Sequence, residues 1–330
     1  AVPLEGVVEH SPMATHFNLR TLLGACVRLA RRGGHIIRAV HQEGQLGAHN
    51  KKLEGDERAA QAMDPAEVLT VADVRSQDAI VRSLRVMFPG IRVVGEEEEA
   101  SPEMREEPTP LDEVAPLPDA FDVPTELAEA LTLADTCLWV DPLDGTIEFV
   151  RGNLHHVCVL IGVSVGERPV AGVVCQPFVG GDDGIITYGA VGVGVFGDVI
   201  PASGGPPSEL LVAMEEKHAK EPRLVAAMER LGCMAPPRIT QGCGQNLLKV
   251  LRGETSVFVQ APGASRWDTC AGEALLLAVG GLVTDLDGRP YKYIEGAPSY
   301  GNTEGLIAAR TQELHEGVGA AFAAAGTAAL

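Results

Sequence analysis

Three short acidic clusters hold residue types that could do chemistry. Glu96-Glu97 closes the apolar run 91–94, Asp141-Pro142-Leu143-Asp144-Gly145-Thr146 follows the apolar run 137–140, and Trp267-Asp268 opens a third apolar segment. Carboxylates at strand ends lie along one rim of a sheet, where α/β proteins bind ligands. Asp141 and Asp144 stand three apart with a proline between them. The backbone therefore turns, both carboxylates converge, and the carbonyl of Leu143 is freed. Gly145 permits a close backbone approach, and Thr146 stands where the N–H groups of a following helical turn would receive an anion. Two carboxylates, a carbonyl and water make a hard oxygen site, suited to Mg²⁺ rather than zinc.

The charge balance fits that reading. The 330 residues are 45% hydrophobic and 22% charged, with a net charge of −19, which describes one large globular domain or two ordinary ones. An acidic chain is a poor partner for a nucleic acid polymer. It would also repel a small anionic substrate unless cations intervene, and Mg²⁺ would do so. No apolar run reaches the roughly 18 residues of a membrane span, and the first ten residues lack a basic-then-apolar secretory pattern. The seven scattered cysteines form no CxxC pair and read as buried, reduced thiols. That points to the cytoplasm, or to an organelle after removal of a targeting segment, since the chain opens on Ala1 without Met. Residues 96–126 hold twelve acidic side chains against Arg105 alone, a local net of −11, together with six prolines. Beyond its first two glutamates this stretch reads as an exposed loop.

Helical periodicity runs over residues 17–40, with Gly33-Gly34 as a possible interruption, and again over 70–87. A strand at 91–95 follows Pro89-Gly90. Residues 157–165 and 170–176 form a hairpin, and Gly-rich strands continue to 199. Residues 201–207 (PASGGPP) mark the expected boundary between an α+β metal-binding domain, 1–200, and an α/β substrate-binding domain, 201–330. The Ala-rich tail reads as a helix or a frayed end.

Glu96-Glu97, the DPLDGT string at 141–146 and the WDTCA string at 267–271 together resemble the signature of the lithium-sensitive, magnesium-dependent phosphatases related to inositol monophosphatase. The likeness spans about residues 17–310 and is closest to the 3′(2′),5′-bisphosphate nucleotidase branch, through WVDPLDGTIEF, the hairpin text, GCGQN and WDTCAGEALLLAVGGLVTDLDG. It implies a layered αβαβα sandwich and two or three Mg²⁺ held by Glu96, Asp141, the Leu143 carbonyl, Asp144 and Asp268, with Glu97 as a further candidate. It also implies hydrolysis by water activated at the metals and oriented by Thr146, with the phosphate on the N–H groups of Gly145 and Thr146. The implied substrate is 3′-phosphoadenosine 5′-phosphate, a compound of sulfur metabolism, cleaved to AMP and phosphate with lithium sensitivity. The alternatives are an inositol polyphosphate 1-phosphatase or sugar phosphatase, and a catalytically weak metal- or nucleotide-binding regulator. A monomer or homodimer is expected.

Four departures bear on this reading. The carboxylate that family members couple to the threonine is an Asp, whereas here the matching position is Glu67, with Asp64 nearby. The nucleotidase Gly-Ala-Gly-x-Lys appears as Gly242-Cys243-Gly244-Gln245-Asn246, so Asn246 replaces a lysine and Lys249 or Arg266 is left to compensate. The Ser-His that meets nucleotide in relatives appears as Lys217-His218, and Ile147 stands where a lysine usually follows Asp-Gly-Thr. The expected substrate contacts are thus Gly145, Thr146, Lys217, His218, Gly242, Cys243, Gly244, Asn246 and Arg266.

Overall fold

The helical periodicity near the start of the chain becomes one unbroken helix, α1 (Leu19–Glu43), capped by the Asn18 side chain and ended by Gly44 at φ 69°. Gly33 and Gly34 do not interrupt it. A Cβ on Gly33 would lie 2.6 Å from Ser76 Oγ and one on Gly34 3.1 Å from Pro177 Cβ, so these glycines let neighbouring segments approach α1 closely. The computed structural model describes residues 18–44, 46–50, 68–198, 210–215, 218–232 and 238–326. The expected boundary at 201–207 lies outside them.

The short strands β1 (His49–Asn50) and β2 (Val68–Leu69) pair antiparallel ahead of α2 (Val71–Met87). A six-stranded sheet follows: β3 (Arg92–Gly95), then, after the short helix α3 (Thr125–Ala130), β4 (Thr136–Asp144). The single-turn-and-a-half helix α4 (Thr146–Arg151) precedes β5 (Cys158–Val165), β6 (Arg168–Gln176), β7 (Ile185–Ala190) and β8 (Gly194–Gly197), in spatial order β3-β4-β5-β6-β7-β8. Gly166 and Glu167, both at positive φ, make the two-residue turn of the β5–β6 hairpin.

The second sheet collects β9 (Val212–Glu215), β10 (Arg238–Thr240), β11 (Val257–Gln260), β12 (Leu282–Thr284) and β13 (Leu306–Ala309), in order β10-β9-β11-β13-β12. Its helices are α5 (Pro222–Arg230), α6 (Cys243–Arg252), α7 (Arg266–Leu277) and α8 (Gln312–Gly326). α1 and α2 cover one face of the first sheet, α6 and α7 fill the space between the sheets, and α5 and α8 cover the far face of the second. The result is the five-layer αβαβα arrangement. Among the described residues, no helix is long and apolar enough to cross a membrane.

The acidic, proline-rich stretch differs from expectation. It lies along α1 and α2, tied by Arg75 to Glu106 at 2.8 Å and by Arg20 to the Leu117 carbonyl and Asp119. Leu117, Phe121 and Thr109 are buried. A few anchoring side chains hold the segment down, and its surrounding charges conceal them in a composition-based reading.

Candidate active site

Parallel pairing of β3 with β4 sets Gly95 opposite Val140, so the next residues along, Glu96 and Asp141, emerge side by side. The Glu96 N–H donates to the Val140 carbonyl at 3.1 Å and fixes that register. The β4–β5 register then slips between Asp141 and Asp144, a β-bulge at Pro142-Leu143 that turns both carboxylates out of the ladder. Asp268 arrives from the first turn of α7, where its carboxylate accepts from the Ser265 N–H at 2.7 Å in a capping box. Ligand oxygens of Glu96, Asp141 and Asp268 all lie within 4.8 Å of one another.

Burial, then the charges of Glu96, Asp268 and Asp144, push the Asp141 carboxyl well above the usual carboxylate range. Burial, then Glu96 and Asp144, does the same to Asp268. The leading charges on these two groups are other carboxylates, with no lysine or arginine among them. Three converging hard oxygen donors, with no lysine or arginine among the leading charges on Asp141 and Asp268 in the described residues, fit a divalent ion of the Mg²⁺ class. The carbonyl of Leu143 stands beside them and already accepts the Thr146 hydroxyl at 3.0 Å.

Asp144 is held differently. The first N–H groups of α6, from Cys243 and Gly244, donate to its two oxygens at 3.1 and 2.8 Å. A Cβ on Gly244 would sit 2.6 Å from Leu160 Cδ2 and 2.9 Å from Asp144 Oδ2, so only glycine lets the helix end close on this carboxylate. Burial and the charge of Glu215 raise Asp144 to about 7, against these hydrogen bonds. The Gly242-Cys243-Gly244 string, expected to receive substrate, thus gives two of its N–H groups to a carboxylate of the same site.

Thr146 opens α4 after Gly145, whose φ of 89° is the left-handed conformation that glycine tolerates. Its hydroxyl has two acceptors at 3.0 Å, the Leu143 carbonyl and Asp73 Oδ1. Asp73 is wholly buried in the first turn of α2, where its other oxygen accepts the Thr70 N–H at 2.8 Å and the Thr70 hydroxyl. Burial and the nearby charge of Glu96 raise Asp73 to about 6, against those hydrogen bonds.

Glu96, Asp144, Thr146 and Asp268 border a cavity of about 350 Å³, also lined by Arg151, Glu215, Gln241, Gln260 and Trp267. Among the expected contacts, Gly145, Thr146, Gly242 and Cys243 line it. Asn246 does not. It is fully buried, and its amide donates to the Gly242 carbonyl at 2.9 Å within α6. Arg266 is also turned elsewhere, over the Tyr291 ring at 4.7 Å with its Nε donating to the Lys292 carbonyl. His218 is buried 3.6 Å from Glu215, beside the cavity wall. Glu97 is separated from the carboxylate cluster and borders a second cavity with Arg82 and Arg85. Asp64, Glu67 and Lys217 lie outside the described residues.

Sequence reading missed Asp73, Arg151, Glu215 and Gln260. Thr70-x-x-Asp73 before a helical run is a legible capping signal, but its contact with Thr146 spans 73 residues of chain. Glu215 and Gln260 end β9 and β11, a position that strand prediction could have flagged.

The sequence model described as the inositol monophosphatase family matches residues 18–326. The chain is 30% identical over 306 residues to a rat 3′(2′),5′-bisphosphate nucleotidase 1, covering 90% of this chain and 92% of the relative. To the human protein of the same name it is 31% identical over 302 residues, covering 88% and 91%. Among solved structures, the extragenic suppressor protein suhB of Bartonella henselae superposes with a TM-score of 0.63 at 18% identity, over 91% of this chain and 98% of that one.

Proposed function

The chain belongs to the inositol monophosphatase family of metal-dependent phosphatases, and on that premise we propose that it is a bisphosphate nucleotidase. In this reading it removes the 3′ (or 2′) phosphate of 3′-phosphoadenosine 5′-phosphate and releases AMP. The observation that carries the catalytic part is the convergence of Glu96, Asp141 and Asp268, with Glu96 and Asp268 lining the same cavity as Thr146, whose hydroxyl is bonded to Asp73. The nucleotide part is supported by the two mammalian nucleotidases above, each similar over about nine-tenths of this chain.

Glu96, Asp141 and Asp268 would hold Mg²⁺, with Asp144 and the Leu143 carbonyl next to them. The cation supplies positive charge that attracts the phosphate ester and eases ionisation of an attacking water. The chain's own residues do the positioning. Thr146 directs its one proton toward Asp73 or Leu143, which leaves its oxygen lone pairs to accept from water. Asp73, buried and anchored by Thr70, fixes that orientation and can take up a proton near neutral pH. The water oxygen bonds to phosphorus and the ester P–O bond breaks; of the two water protons, one ends on the departing alcohol oxygen and the other stays with the released phosphate. The N–H groups that open α6 fix the orientation of the Asp144 carboxylate on the cavity wall.

A second reading, hydrolysis of an inositol or sugar phosphate, is favoured by Glu215 and Gln260, acceptors suited to hydroxyl groups on the same cavity. Phosphate release from adenosine 3′,5′-bisphosphate, inositol 1,4-bisphosphate and fructose 1,6-bisphosphate, with Mg²⁺ and with or without lithium, separates the two. The nucleotidase reading expects the adenosine compound to give the highest kcat/KM, with loss in lithium. Turnover of inositol or sugar compounds alone overturns it, and turnover of none favours a regulatory binding protein.

A further inference from the structure

The cavity wall has a marked charge imbalance. Its described lining holds the carboxylates of Glu96, Asp144, Glu148, Glu215 and Asp268, and among those residues a single lysine or arginine, Arg151. Divalent cations at the Glu96 cluster would serve the phosphate that reacts. A second phosphate on the same substrate would face the remaining carboxylates with, among the described lining residues, no cationic side chain but Arg151. Arg266 is directed onto Tyr291, and Asn246 carries no charge and is bonded within its own helix.

Arg151 is mounted for such a task. It ends α4, five residues after Thr146, which corresponds to about 7.5 Å of helical rise. A ribose with phosphates on two of its carbons can bridge a gap of that order. One guanidinium nitrogen, Nη1, lies 2.9 Å from Glu148 Oε1, while the Arg151 side chain stays about half exposed. Glu148 is itself buried, and its other oxygen accepts the Asn153 amide at 2.6 Å. The carboxylate is thus fixed from both sides and braces one edge of the guanidinium. Nε and Nη2 remain as a planar pair of donors, the geometry that binds a phosphate through two hydrogen bonds.

We propose that Arg151, braced by Glu148, receives the phosphate that is not cleaved and so sets the preference for a bisphosphorylated substrate. The inference rests on the nucleotidase reading above and assigns the residue that would enforce it.

The test compares the full-length wild type with Arg151→Met and Arg151→Lys. Steady-state hydrolysis is measured for adenosine 3′,5′-bisphosphate and adenosine 3′-monophosphate in Mg²⁺. Loss of a charge-assisted pair of hydrogen bonds should lower the bisphosphate-to-monophosphate ratio of kcat/KM by ~10- to 100-fold in Arg151→Met, through KM rather than kcat. Arg151→Lys should restore part of it. Inhibition by AMP, which bears only the uncleaved phosphate, should weaken by a similar factor, whereas inhibition by adenosine should not. A wild type that prefers the bisphosphate while Arg151→Met keeps both that preference and its AMP inhibition overturns the assignment of Arg151 and leaves the nucleotidase reading standing. A wild type that hydrolyses the monophosphate as well as the bisphosphate overturns both.

Discussion

Two helices, α2 and α7, open on the same local device and put it to different uses. Thr70 and Asp73 begin α2 and Ser265 and Asp268 begin α7, and in each case the aspartate accepts the N–H of the residue three before it. The capping geometry points both carboxylates back past the helix start, toward the strand ends. From there the surroundings decide. Asp268 meets Glu96 and Asp141 within metal-ligand distance, while Asp73 meets a neutral hydroxyl, Thr146. Local sequence therefore aims a carboxylate, and the tertiary neighbour determines whether it meets other carboxylates or a hydroxyl.

On that contrast the two aspartates should fail differently. Asp268→Asn should reduce kcat by ~10³-fold or more and weaken Mn²⁺ binding measured by calorimetry, because one converging charge is gone. Asp73→Asn should cost ~10²-fold in kcat with Mn²⁺ affinity retained, since it loosens the Thr146 hydroxyl rather than the cluster. Equal loss of metal binding in both variants would erase the distinction.

A third experiment sharpens the contrast on α7 alone. Glu273, one and a half turns beyond Asp268, is wholly buried and accepts the Tyr293 hydroxyl at 2.6 Å and Arg168 at 3.2 Å. Burial raises it to about 7, above its range in the unfolded chain. The folded protein thus retains a proton there that the unfolded chain releases. Stability from this group is complete below the unfolded value and falls as pH rises toward about 7, by an amount on the order of a few kcal/mol. Thermal midpoints of the metal-free protein between pH 4.5 and 7.5 should show a decline to which Asp73 and Asp144, raised in the same sense, also contribute, and Glu273→Gln should make it shallower. An unchanged slope in the variant would place the titration elsewhere. The smallest effect is expected from Thr70→Ala, ~1 kcal/mol of stability by urea titration. Its kcat should fall less than that of Asp73→Asn, because Asp73 keeps the Thr70 backbone N–H.

Much of this arrangement was legible before any coordinates. Apolar spacing revealed α1, α2 and the β5–β6 hairpin, and carboxylates at the ends of apolar runs indicated one rim. What stayed hidden depends on contacts between distant segments. The Gly242-Cys243-Gly244 string reads as a substrate contact, and the sequence does not show that two of its N–H groups are given to Asp144 with Leu160 packed against Gly244. Gly33-Gly34 reads as a break until Ser76 and Pro177 occupy the space beside them. The three- and four-residue strands β10 and β13 are too short for alternation to stand out, and they exist through their pairing with β9, β11 and β12. Asp73 went unflagged because nothing near it in sequence announces Thr146, 73 residues further along the chain.

The most direct test of the central claim is anomalous diffraction from crystals of the wild-type protein soaked in Mn²⁺. The account predicts a peak coordinated by oxygens of Glu96, Asp141 and Asp268. An active, Mn²⁺-supported enzyme whose anomalous peaks lie away from those three side chains would contradict it.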